Sequence, residues 1–191
     1  MSGLSFIKQY ITKPRTVGAI WPSSKYLAKK MVQDIDFDTG EYIVEYGPGT
    51  GVFTDKILKA RRQSTAVLLI ENNQEFYNLL VEKYSREPNM YIINGSAENV
   101  GDYMAQHKIP YADYIVSGLP FASLPQDVST RILAQTKKHL KQGGRFITFQ
   151  YTLLKKDFIA QHFGEITIRR ELRNIPPAYV LSCKKTQVIS S

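Results

Sequence analysis

Short apolar runs bounded by turn residues alternate along this chain with segments of helical period. Five runs, at 42–46, 66–71, 91–94, 112–117 and 145–150, are rich in Val, Ile, Leu, Tyr and Phe and predict strands. Between them, 52–61, 73–84 and 126–141 repeat apolar residues at three- and four-residue intervals and predict helices. A short helix is expected from Ala97. Alternation of this kind is the signature of a parallel α/β sheet. Beyond residue 150 the pattern changes. A helix over 155–162, ended by Gly164, leads to two strands at 165–172 and 178–183 joined by Arg173-Asn174-Ile175-Pro176-Pro177. Two strands with no helix between them predict an antiparallel pair closing the sheet.

The N-terminal segment reads differently. Phe6, Ile7, Tyr10 and Ile11 share one face of a short amphipathic helix with Lys8 and Lys13 off it, and Pro14 stops that helix. A second helix is expected from Ser23-Ser24, either of which can cap it, to about Val32. The whole chain, 1–191, is expected to form one domain: a basic helical extension over 1–33 and a catalytic core over 41–191.

Charge sharpens this picture. The net charge is +8, and residues 1–33 carry six basic side chains and no acidic one. A basic arm of this kind favours a polyanionic partner, either nucleic acid or an anionic membrane surface. The single cysteine, Cys183, excludes an internal disulfide, and no run is long enough to span a membrane. The N-terminus lacks a signal-peptide pattern, so a cytoplasmic protein is expected. No H-E-x-x-H, C-x-x-C or G-x-S-x-G occurs, so neither a metal site nor a hydrolase is expected. His107, His139 and His162 lie in separate polar segments and read as surface residues.

The chemistry is concentrated where strands end. Glu45-Tyr46-Gly47-Pro48-Gly49-Thr50-Gly51 follows the first strand and opens a helix, and its glycines let the backbone approach a ligand. A dinucleotide loop needs its third glycine at position 52, which is Val52, so this loop need not hold a pyrophosphate. Glu45 suits a ligand carrying an ammonium group, as S-adenosylmethionine does. Glu71 closes the second strand, where a carboxylate can accept both hydroxyls of a ribose. Ser96-Ala97-Glu98 follows the third strand, and Asn72 and Ala97 are placed to flank a base.

These three segments, in this order, resemble the first three motifs of class I S-adenosylmethionine-dependent methyltransferases. The resemblance implies a Rossmann-like fold with a mostly parallel seven-stranded sheet and a C-terminal antiparallel hairpin. It also implies S-adenosylmethionine as cofactor, held by Glu45, Gly47, Gly49, Thr50, Gly51, Glu71, Asn72, Ser96, Ala97, Glu98, Ser117 and Gly118. The stretch from Gly47 to Thr54 is similar to the subgroup containing ribosomal RNA adenine dimethylases. In those enzymes the motif after the fourth strand begins with Asn, whose carbonyl accepts from the target amino group. Here Ser117-Gly118-Leu119-Pro120-Phe121 begins with a serine, which has no amide acceptor. Only 71 residues follow Pro120, and the helical RNA-binding domain of the dimethylases is expected to be absent.

Three segments together resemble bacterial phospholipid N-methyltransferases, which act on phosphatidylethanolamine on the route to phosphatidylcholine. They are Gly18-Ala19-Ile20-Trp21-Pro22-Ser23-Ser24, Ser117-Gly118-Leu119-Pro120 and Arg173-Asn174-Ile175-Pro176-Pro177-Ala178. The implied substrate contacts are Ser23, Ser24, Leu119, Pro120, Tyr151 and Arg173, the last a candidate for the lipid phosphate. Ser117 and Tyr151 are the candidate catalytic residues, as groups that orient the attacking amine. The expected partner is a membrane surface containing phosphatidylethanolamine and anionic lipid, met peripherally at the inner face of the cell membrane by a monomer with no stable nucleic-acid complex. An rRNA adenine N6-methyltransferase, a small-molecule amine methyltransferase and a cofactor-binding protein without turnover remain as alternatives.

Overall fold

The structure, a computed structural model, describes residues 22–186, with side chains described from Lys25 onward. The amphipathic segment around Phe6–Ile11, expected to be helical, lies outside the described residues.

Helix α1 spans Pro22–Met31, with proline in the first helical position, where its missing N–H costs nothing. Then come β1 Tyr42–Tyr46, α2 Val52–Ala60, β2 Ala66–Glu71, α3 Gln74–Tyr84 and β3 Met90–Asn94. A 3₁₀ turn, Ala97–Asn99, runs into α4 Val100–Gln106. The second half is β4 Ala112–Ser117, α5 Gln126–His139, β5 Leu140–Gln150, α6 Lys156–Ala160, β6 Glu165–Glu171 and β7 Ala178–Lys184. All seven strands form one sheet in the order β3-β2-β1-β4-β5-β7-β6. The first five are parallel, and β7 lies antiparallel between β5 and β6. This is the parallel sheet predicted by the alternation of strands and helices, closed in the Rossmann-like arrangement that the resemblance implies.

The parallel strands are buried on both faces, as their near-continuous apolar runs require. On one face Ile43, Val67, Leu69, Val116 and Ile147 pack against Leu27 and Met31 of α1, Ile57 of α2 and Leu80 and Tyr84 of α3. On the other, Val44, Leu68, Ile70, Ile115 and Phe146 meet Val100 and Met104 of α4, Ile132 and Leu133 of α5 and Ile159 of α6. Helix α3 is set by Asn73, whose side chain accepts from the backbone N–H groups of Glu75 and Phe76 (2.9 and 3.1 Å).

Element ends depart from expectation mainly around β5. Helical periodicity extends to 141, yet α5 stops at His139 and the strand begins at Leu140. The register with β4 jumps from Ala112↔Leu140 to Tyr114↔Arg145, so residues 141–144 form an irregularity inside the strand. Gly143, at φ 79°, makes that bend possible. Helix α6 is also shorter than its sequence pattern, 156–160 rather than 155–162. The histidines are half-buried rather than exposed, and they share no cluster: His107 stacks on Tyr91 with centroids 4.3 Å apart.

Candidate active site

The strand order places a topological switch between β1 and β4, and in open α/β sheets ligands bind outside the carboxyl ends of the strands at such a point. Two loops meet there. Gly47 N–H donates to the Ile70 carbonyl (2.9 Å), and Gly118 N–H donates to the Tyr46 carbonyl (2.8 Å). The glycine loop turns through Gly47, Gly49 and Gly51 at φ 59°, 57° and 83°, the left-handed region that other residues resist. A Cβ on Gly51 would stand 2.3 Å from the Tyr84 hydroxyl, and one on Gly118 would stand 2.5 Å from the Gly47 carbonyl oxygen. The loop is therefore fixed by contacts that only glycine permits, and it opens the positive N-terminus of α2 toward the cleft.

Tyr84 secures this loop from α3. Its hydroxyl donates to Asp55 Oδ1 (2.7 Å) and lies 3.0 Å from the Gly51 carbonyl oxygen, while Lys83 Nζ reaches Asp55 Oδ2 at 2.8 Å. Nothing in the local pattern around Tyr84 marks this role, because it arises from helix packing across β2.

Two carboxylates line the same place. Glu45 is fully buried and accepts from Thr54 Oγ1 through Oε2 (2.8 Å), while its Oε1 has no partner. Burial pushes its carboxyl up to about 8, with the Glu71 and Asp55 charges acting in the same direction. Glu71 is 7% exposed. Its Oε2 accepts the Gly49 N–H (3.0 Å) and its Oε1 the Asn73 N–H (2.8 Å), linking the glycine loop to the end of β2. Burial raises its carboxyl too, opposed by these backbone donors. A carboxylate has about four acceptor positions, so Glu71 retains acceptor capacity beyond its backbone donors.

The end of β3 joins the same rim through Gly95 N–H and Asn94 Nδ2, both donating to the Glu71 carbonyl (3.0 and 3.1 Å). Ser96 caps the following turn, accepting from Glu98 N–H (3.3 Å) and donating to Glu98 Oε2 (3.0 Å). Glu98 Oε1 is held by Arg131 Nε of α5 at 2.5 Å, which keeps its carboxyl below the usual range. Ala97 is buried and Asn72 exposed, leaving Asn72 accessible at the end of β2.

At the end of β4 Ser117 is fully buried, and its Oγ accepts the Leu119 N–H (3.2 Å). Leu119 lies over Gly47, so Ser117, Gly118 and Leu119 stand directly against the glycine loop, with Pro120 next in the turn. Tyr151 follows β5 and packs edge-on against Phe149 (5.5 Å between centroids), which in turn meets Phe53 of α2 (5.9 Å). Arg173 is not part of this cluster. It lies in the β6–β7 turn, bound through Nε and Nη2 to Glu171 (3.0 and 3.2 Å) and stacked 4.1 Å over Tyr26. Ser23 and Ser24 fall in the first turn of α1, with their side chains outside the described residues. Among the described residues, no cluster of His, Cys, Asp and Glu is arranged to hold a metal ion, and no helix is long and apolar enough to cross a membrane.

Residues 17–170 match the model of the ribosomal RNA adenine dimethylase family. The chain belongs to that family. It is a methyltransferase dependent on S-adenosylmethionine, and the site fits that cofactor: Glu45 Oε1 is a buried acceptor lacking a donor, and Glu71 has acceptor positions to spare. An ornithine lipid N-methyltransferase from Singulisphaera acidiphila is 28% identical over 181 residues, 94% of each chain. A ribosomal RNA small subunit methyltransferase A from Thermotoga neapolitana is 24% identical over 64% of this chain and 44% of its own. The chain thus spans less than half the length of that relative. Among solved structures, a SAM-dependent methyltransferase from Aquifex aeolicus superposes with a TM-score of 0.63 at 17% identity, covering 85% of this chain and 93% of that one.

Proposed function

We propose that this family member is an N-methyltransferase of aminolipids, acting on the amine of phosphatidylethanolamine and its methylated derivatives at a membrane surface. The observation that carries this reading is the end-to-end similarity to the ornithine lipid enzyme, against matches to rRNA enzymes that cover only part of each chain.

The acceptor side of the site is compatible with it. Where the dimethylases present an asparagine, this chain presents Ser117, whose hydroxyl already accepts the Leu119 N–H. Bound S-adenosylmethionine supplies an electrophilic methyl on a sulfonium. The protein must then hold a neutral amine in line with that bond, and positioning accounts for most of the rate. The second lone pair of Ser117 Oγ and the Gly118 carbonyl can accept hydrogen bonds from the amine and so orient its lone pair, while its proton leaves to solvent water and Leu119 and Pro120 form the apolar wall. Tyr151 offers an aromatic face to a methylated ammonium product. Arg173 Nη1 is the donor left for a lipid phosphate.

Transfer of labelled methyl into three acceptors side by side tests the proposal: vesicles of phosphatidylethanolamine with anionic lipid, vesicles of ornithine lipid, and undermethylated small ribosomal subunits. Label is expected in phosphatidylethanolamine, with mono-, di- and trimethylated head groups separable by chromatography. Label in ornithine lipid alone would move the acceptor to another aminolipid, and label in RNA alone would overturn the lipid reading.

A further inference from the structure

Of the large apolar residues that stand exposed among the described residues, five lie at one place. They are Leu154 (87% exposed), Ile175 (66%), Leu172 (63%), Tyr26 (43%) and Leu153 (39%); the sixth, Leu79, is on α3. Gln150 pairs with Tyr179 at the end of β5, so the loop after β5 and the β6–β7 turn leave the sheet side by side. Tyr26 joins them through the Arg173 guanidinium stacked on its ring. All of this lies at the carboxyl end of β5, the end of the sheet that also carries Glu45, Gly47 and Ser117.

Basic side chains predominate around these residues. Segments 22–31, 151–156 and 172–177 contain Lys25, Lys29, Lys30, Lys155, Lys156 and Arg173 and no acidic residue. Arg173 and Lys30 are compensated by Glu171, and Lys156 stands 3.8 Å from Asp157. Lys25, Lys29 and Lys155 form no ion pair among the described residues. On α1, Lys25, Tyr26 and Lys29 share one face, while Leu27, Ala28 and Met31 are buried on the other. A soluble surface disperses its exposed apolar side chains, whereas here leucines and an isoleucine project from two loop tips within a rim of lysines.

We propose that this rim, formed by loop 151–156, turn 172–177 and the exposed face of α1, is the surface by which the protein docks on an anionic bilayer. Leu153, Leu154, Leu172 and Ile175 enter the interface and the lysines meet lipid phosphates. The proposal rests on the aminolipid reading for its purpose: docking at this rim presents the cleft between the β1 and β4 loops to a head group still seated in its membrane. An anionic bilayer fits better than a second copy of this chain, because identical lysine-rich rims repel each other across a two-fold interface.

The test uses the full chain with sucrose-loaded vesicles of phosphatidylcholine and phosphatidylglycerol, three to one, measured by sedimentation. Leu154→Glu and Ile175→Glu are each expected to lower partitioning about tenfold, as expected for loss of a buried apolar side chain. Lys25→Gln and Lys29→Gln should each lower it about fivefold and reduce its dependence on phosphatidylglycerol. Leu79→Glu, exposed on α3, should leave it unchanged. Methyl transfer to a dispersed short-chain phosphatidylethanolamine is measured in parallel and should survive in the Leu154 and Ile175 variants, which reports an intact fold. Wild-type partitioning in those two variants, or no vesicle binding by the wild-type chain, overturns the docking surface while the aminolipid reading stands on its own transfer assay. A wild-type dimer that the two substitutions convert to monomer overturns it as well, and assigns the face to a second copy. If partitioning falls as expected but the wild-type chain methylates no aminolipid, docking holds and the aminolipid reading is what fails.

Discussion

The two ends of the active-site edge are built on opposite terms. Around β1 and β2, carboxyl groups are buried and hydrogen-bonded: Glu71 grips the Gly49 and Asn73 N–H groups, Glu45 accepts from the Thr54 hydroxyl, and Gly47 and Gly51 between them have no room for a side chain. Around β5, β6 and β7, apolar side chains project into solvent from loops, and the charged groups are largely at the surface. A small polar ligand of fixed shape is best held by preorganised donors and acceptors excluded from water. A large, mobile acceptor is better met by surface that can be buried only when it arrives. The contrast fits the proposal that the first end holds the cofactor and the second meets the acceptor, and each half of it can be broken separately.

The largest effect is expected from Glu71→Ala. It leaves the Gly49 and Asn73 N–H groups without their acceptor and removes the carboxylate proposed to meet the ribose. Bonds to charged groups contribute about 1.5–3 kcal/mol each, so cofactor affinity should fall at least about 100-fold by calorimetry. The melting temperature should also drop by several degrees. A variant that bound S-adenosylmethionine normally would remove β2 from the cofactor site.

Glu45→Gln should act more subtly, through pH. In the free protein burial holds the Glu45 carboxyl at about 8, above its ordinary value of 4.5. The folded state therefore carries a proton that the unfolded chain has released, and the stability from this group is full below about 4.5 and lost as pH rises through 8. An ammonium ligand needs the carboxylate, so cofactor binding should release this proton, and affinity should rise between pH 6 and 8 by up to about tenfold per unit. The glutamine variant should show neither slope. Proton release is read by calorimetry in buffers of different ionisation enthalpy, and a pH-independent wild-type affinity would place the ammonium elsewhere.

The contrast also explains which features could be read from the sequence. The cofactor end is encoded in contiguous segments, each combining a strand end with its functional residue, so Glu45, the glycines and Glu71 stand out and the fold brings them together. Thr54, Tyr84 and Arg131 escape such reading because their partners are 9, 33 and 33 residues away, brought near only by helix packing. The acceptor end has no periodic code. Leu153 and Leu154 look like an apolar pair that any core could absorb, and only the fold shows them in solvent. The start of β5 was obscured for a related reason. Helical spacing runs on to 141 in the sequence, but pairing with β4 draws 140–144 into the strand and Gly143 takes up the distortion.

The smallest effect is expected at Arg173, where the second end also holds a buried, hydrogen-bonded carboxylate. Glu171 is 2% exposed and is held at about 2, first by the Arg173 side chain and then by the Arg173 N–H and Lys30. Its folded value lies below the ordinary 4.5, so the stability it contributes is present above about 4.5 and lost as pH falls through 2. Arg173→Ala leaves Lys30, 3.4 Å away, as the remaining cation, and should move acid unfolding to higher pH while changing little at neutrality. Such a change would accompany a purely structural arginine as well as a ligand-binding one. Kinetics separate the two. Two of the guanidinium nitrogens serve Glu171 and the third, Nη1, is left for a phosphate oxygen. If it binds there, KM for phosphatidylethanolamine should rise about threefold with kcat unchanged, in keeping with a solvent-exposed ion pair. An unchanged KM with a shifted acid midpoint would confine Arg173 to bracing Glu171 and Tyr26 beneath the hairpin.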